Sequence, residues 1–125
     1  MCIFDNACSQ ICQVPGIRFA AIINKKGRKI AGGFNTKVIP FEKDEHKIEM
    51  LFMENTLDLS MRSEFDDSLG NVQAVVAYRD NINMITIPYQ DNLMLLSIDP
   101  KLDIHKVIQI AHQCLRSEQI MEIAA

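Results

Sequence analysis

No apolar run in this 125-residue chain approaches the ~20 residues that span a bilayer, so no transmembrane helix is expected. The opening residues, Met1-Cys2-Ile3-Phe4-Asp5, lack the basic segment of a secretory signal, and the expected location is cytoplasmic. Cysteines number only four and are irregularly spaced, which argues against a small disulfide-stapled domain. There is no phosphate loop, no Gly-x-Gly-x-x-Gly and no nucleophile elbow. Internal repeats, low-complexity tracts and interdomain linkers are also missing. What remains is one globular domain over residues 1–125.

The composition fits that reading: 48% of residues are hydrophobic and 23% charged. A chain of this length removes roughly 65% of its unfolded surface from water. Net charge is −3, unevenly spread. Residues 6–41 hold six basic side chains and no acid, while residues 42–125 hold fifteen acids and seven bases. Such asymmetry either steers an anionic partner or lets two parts of one fold face each other favourably.

Hydrophobic periodicity orders the elements. Residues 3–13 predict a short amphipathic helix with Ile3, Phe4, Ala7, Cys8 and Ile11 on one face, ended by Pro15-Gly16. Residues 17–24 and 28–34 predict two strands joined by the Lys25-Lys26-Gly27 turn, with Gly32-Gly33 marking a bulge or a close backbone approach. Residues 41–69 predict one long helix, with Glu42, Asp44 and Glu45 in its first turn, Phe65-Asp66-Asp67 as a looser last turn and Gly70 as its stop. The apolar run 72–78 reads as a strand covered on both sides. Strands over 82–87 and 93–98 follow. Asp99-Pro100 then opens a last helix over about 100–116, with Ile104, Val107, Ile108, Ala111 and Leu115 on one face.

The long helix carries two apolar faces. At 100° per residue, Ile48, Leu51, Phe52, Leu59 and Leu69 fall on one side. Met50, Met53, Leu57, Met61 and Phe65 fall nearly opposite. A small domain needs only one such face for its own core. Burying each further side chain contributes ~1.5–3 kcal/mol as an upper figure, so the second face calls for a cover, either the N-terminal helix or tail of this chain or a second copy of it. Flexible methionines suit a surface that repacks against partners.

The order α-β-β-α-β-β-β-α, with Val14-Pro15-Gly16-Ile17-Arg18-Phe19-Ala20 and Asn24-Lys25-Lys26-Gly27-Arg28, resembles the roadblock (dynein light chain) superfamily. The text also looks like that of a set of small uncharacterised archaeal proteins. The resemblance implies an α/β (α+β) domain built on a five-stranded antiparallel sheet. The central helix would lie on one face and the terminal helices on the other. It further implies a homodimer formed through the central helix and third strand, acting as an adaptor or regulator of a Ras-like small GTPase.

The remaining chemistry is sparse. Cys2, Cys8 and Cys12 match no common zinc or iron–sulfur spacing, and a fourth ligand would have to come from His112 or Cys114, so the four cysteines read as structural thiols, a metal or redox role being the alternative. His46 sits in a charged turn; His105 and His112 share a face of the last helix without a nucleophile beside them. No catalytic residue, cofactor or metal is expected. Lys25, Lys26, Arg28 and Lys29 form a basic hairpin tip, a candidate patch for an anionic partner. Without interleaved aromatics it is unsuited to single-stranded nucleic acid. A second functional reading is a PAS-like small-molecule or redox/metal sensor, with Phe19, Phe34, Phe52 and the cysteines lining a cavity between sheet and helix.

Overall fold

Strand β1 (Ile17–Ile23) is buried on both faces. Phe19, Ala21 and Ile23 point to one side and Ala20 and Ile22 to the other, as the two-residue period of a strand requires. The computed structural model describes residues 5–124, with side chains as far as Ser117. Around β1 stand α1 (Asp5–Cys12), β2 (Lys29–Phe34), α2 (Glu45–Ser63), the single-turn α3 (Asp66–Leu69), β3 (Val75–Tyr78), β4 (Asn83–Tyr89), β5 (Asn92–Ile98) and α4 (Ile104–Ala124). The strands form one antiparallel open sheet in the order β2-β1-β5-β4-β3. The expected α-β-β-α-β-β-β-α order holds, with α3 as a detached last turn of the central helical stretch.

Two cores result. Cys8 and Ile11 of α1 and Val107, Ala111 and Leu115 of α4 pack on Ala20, Ile22, Ile85, Ile87, Met94 and Leu96. On the opposite face Phe52 of α2 packs on Phe19, Ala21, Ile23, Leu93 and Leu95, with Ile48, Leu59 and Met84 at its margin. The terminal helices thus share one face and α2 has the other, as expected.

The connection from β2 to α2 is held by polar side chains rather than by secondary structure. Asn35 donates through Nδ2 to the carbonyls of Cys12 and Ile17, both at 3.1 Å, and its Oδ1 accepts from the Lys37 amide. Arg18 reaches the Ile39 carbonyl at 2.6 Å, and its guanidinium lies 4.0 Å from the Phe41 ring centre.

Several sequence expectations need correction. Residues 41–43 lie outside the helix, because Asp44 is its N-cap and accepts from the amides of His46 and Lys47. The helical stretch breaks after Ser63, where Glu64 and Phe65 turn back to the Met61 and Arg62 carbonyls. Leu69 is therefore rotated off the sheet and is 80% exposed. The run 72–78 is not a strand covered on both sides. Only Val75–Tyr78 is extended, at the sheet edge, with Ala77 and Tyr78 exposed. Asp99 makes a local turn onto the Lys101 amide, whereas Asp103 accepts from the Lys106 amide at the start of α4. That helix runs past residue 116 to Ala124. Cys2, Ile3 and Phe4 lie outside the described residues.

Candidate interaction site

The sheet-facing side of α2 is fixed by Phe52, whose ring centre lies 6.0 Å from that of Phe19 in a stacked arrangement. Asn55 and Thr56 bond back to the Leu51 and Phe52 carbonyls, and Asn55 Oδ1 accepts from the hydroxyl of buried Thr86 on β4. With that rotation set, Met50, Met53, Leu57, Met61 and Phe65 all project outward, between 42% (Met53) and 71% (Met61) exposed. Periodicity placed these five on one face, and the fold leaves that face uncovered among the described residues.

Met53 is the least exposed of the five because it lies over the hairpin turn. A Cβ added at Gly27 would stand 2.9 Å from Met53 Cε. Glycine is needed there twice over, for that contact and for its φ of +77°. The turn itself is built by Asn24, whose Oδ1 accepts from the amides of Lys26 and Arg28.

The strand edge beside this helix is also open. Val75 and Ala77 pair with Thr86 and Met84 and so lie on the α2 side of the sheet. Neither joins the core under α2, and Ala77 is exposed. Together with exposed Leu69 they extend the apolar surface past the end of α2, while Tyr78, paired with Asn83, lies on the other face of the sheet. Sequence reasoning missed this extension. The available signal was the Arg79-Asp80 pair closing the run, since an edge strand ends readily in charged residues.

The basic hairpin tip is only partly free. Lys25 pairs with Asp91 at 3.4 Å, and Lys29 Nζ donates to the Gly32 carbonyl at 3.0 Å. Among the described residues, the Lys26 and Arg28 side chains have no hydrogen-bond or ion-pair partner. Between this tip and α2 runs an open groove of about 640 Å³, floored by Phe19, Phe34 and Phe52 and flanked by Glu45 and Glu49 across from the tip. The three phenylalanines expected to share a cavity do come together. The cysteines do not join them: Cys8 and Cys12 line a separate cleft against α1, on the other face of the sheet.

Cys8, Cys12 and Cys114 are free thiols. Burial pushes the Cys12 and Cys114 thiols upward, away from the thiolate form that metal binding or nucleophilic attack requires. Among the described residues no group of three His, Cys, Asp or Glu side chains is placed to hold a metal ion. His46 and His105 are exposed and His112 is half-buried. No helix of the described residues is long and apolar enough to cross a membrane.

The model of DUF6659, described as a family of unknown function, matches residues 2–119. The chain belongs to that family. No curated protein matches it. Among solved structures, this DUF6659 chain is similar to a roadblock/LC7 domain from Streptomyces avermitilis. The TM-score is 0.72 at 12% identity, covering 95% of this chain and 97% of that one. It is similar also to the gliding protein MglB from Thermus thermophilus, with TM-score 0.74 at 14% identity and coverage of 100% and 94%. A profilin from Schizosaccharomyces pombe gives 0.60 at 11% identity, covering 91% and 94%. At such identities the likeness establishes the fold, which is roadblock-like.

Proposed function

We infer that the chain is a single, non-enzymatic, cytoplasmic roadblock-type domain that forms a homodimer and serves as an adaptor or regulator for a Ras-like small GTPase. The observation that carries this reading is the uncovered face of Met50, Met53, Leu57, Met61 and Phe65, continuous with the open β3 edge. Two copies joined there would bury both apolar faces and extend the sheet across the pair. The free cations of Lys26 and Arg28 give the dimer a further surface for an anionic region of the partner. The fold-level likeness to MglB supports the regulatory part of the reading.

The test is a native pull-down with the wild-type chain and a Leu57→Asp variant, with partners identified by mass spectrometry and GTP turnover measured on any GTPase recovered. Recovery by the wild type alone of a Ras-like GTPase whose turnover or loading changes supports the reading. A partner set without a GTPase overturns its regulatory part.

The aromatic floor of the open groove favours a second reading, a small-molecule sensor holding its ligand against Phe19, Phe34 and Phe52. Native mass spectrometry of freshly purified protein separates the two, since a retained ligand would support the sensor.

A further inference from the structure

An open five-stranded sheet has two edges, and a chain that exposes both can add strands in two directions without end. In this fold the two edges are not equivalent. At β2 the Asn35 amide donates to the Arg18 carbonyl, which fixes the phase of the ladder with β1. By the two-residue alternation of an antiparallel pair, Ala31 and Gly33 bond inward to β1, and at the bulge opposite Ile22 and Ile23 the Ile30 amide also faces β1, while Gly32 and Phe34 turn their backbone groups outward. The first of these two is already taken. Gly32 N–H donates to Asp5 Oδ1 of α1 at 3.1 Å, and Gly32 C=O accepts from Lys29 Nζ at 3.0 Å. Gly32 also adopts a φ of +80°, which kinks the strand away from a flat template.

The other edge has no such cover. The Arg79 amide donates to the Ile82 carbonyl, so Ala77 and Val75 bond inward to β4 and Val76 and Tyr78 turn outward. Among the described residues no side chain bonds to the outward backbone groups of β3.

We propose that Asp5 and Lys29 close the β2 edge to strand addition, so that β3 is the single edge open to a second copy and assembly stops at two chains. An incoming strand at β2 would have to displace a carboxylate from the N–H it needs and an ammonium from the C=O it needs. It would also have to leave both charges beside its own backbone. The limit of two chains rests on the dimer inferred above; closure of the β2 edge does not.

The test compares wild type with the Asp5→Ala/Lys29→Ala variant by sedimentation velocity over a range of concentrations. The variant is expected to show a weight-average mass at least twice that of wild type at the same concentration. Adding Phe34→Pro, which removes an outward N–H while Gly33 and Asn35 keep their bonds to β1, is expected to restore the wild-type mass. An unchanged mass in the double variant overturns the proposal, and so does enlargement that survives Phe34→Pro, which would mark unspecific aggregation. Should the double variant fail to fold, Lys29→Ala alone alters an exposed side chain and carries the same expectation of a mass increase. A monomeric wild type would count against the inferred dimer, while growth of the variant over it would still support a closed β2 edge. A dimeric wild type with an equally dimeric variant would remove this proposal alone.

Discussion

The hydroxyl of Thr86, buried on β4, donates to Asn55 Oδ1 on α2 at 2.9 Å. Asn55 spends its Nδ2 on the Leu51 carbonyl of its own helix, so the pair forms a polar peg between helix and sheet. The peg sets how far α2 is rotated, and the rotation decides which methionines face outward.

Thr86→Val removes the donor and leaves Asn55 Oδ1 without it under the helix. Stability is expected to fall by about 1–2 kcal/mol, read from urea unfolding. Replacing both partners with apolar side chains, Thr86→Val with Asn55→Leu, is expected to recover most of that loss, because no stranded acceptor remains. A neutral single substitution would show that the peg contributes nothing.

Asn35 holds the β2–α2 connection by donating to two carbonyls that lie in different elements. Asn35→Ala is expected to lower stability by about 1–3 kcal/mol. Asn35→Asp is expected to behave similarly, since an ionised carboxylate has no proton to donate to the Cys12 and Ile17 carbonyls. Unfolding midpoints of the two variants check this, and an Asp variant as stable as wild type would contradict it.

Burial raises the Cys12 and Cys114 thiols above the ordinary value of 9.0, and at Cys12 it outweighs a backbone hydrogen bond at Ala20 that acts the other way. A folded-state pKa above the unfolded one means that the fold favours the neutral thiol. The resulting stability is present in full below pH 9 and is lost as pH rises through the folded values. Unfolding free energy of wild type is therefore expected to fall more steeply above about pH 9 than that of a Cys12→Ala/Cys114→Ala variant. At neutral pH both thiols are expected to alkylate more slowly than in the unfolded chain. Equal slopes, or rapid alkylation, would contradict this.

The parts of the fold legible in the sequence were those whose signal is periodic and local. The alternation of β1 and the two faces of α2 are of this kind, and the five residues proposed as an interface came from periodicity alone. The break at Glu64 and Phe65 was legible only as a looser last turn from Phe65, because neither glycine nor proline marks it and the chain turns on backbone bonds to Met61 and Arg62. Residues 72–78 misled for a related reason. A continuous apolar run suits a covered strand, but whether a strand is covered depends on its place in the sheet. Pro100 pointed to Asp99 as the start of the last helix, whereas Asp103, four residues on, is the residue that accepts from the Lys106 amide at the start of α4. The contact of Asp5 with Gly32 joins residues 27 apart, and no local pattern announces such a pair.

The roadblock resemblance supplied what periodicity could not, namely that the terminal helices share one face. The PAS-like reading had put the phenylalanines and cysteines together in a single cavity. Strand alternation separates them, since Phe19 and Phe34 point toward α2 while Cys8 packs on the opposite face.

The exposed face of α2 is tested most directly by the mass of the native protein in solution at micromolar concentration. Light scattering is expected to give twice the 14.2 kDa chain mass for wild type and the single-chain mass for Leu57→Asp, with both proteins folded. A wild-type mass of one chain would contradict the dimer and leave Met50, Met53, Leu57, Met61 and Phe65 facing water.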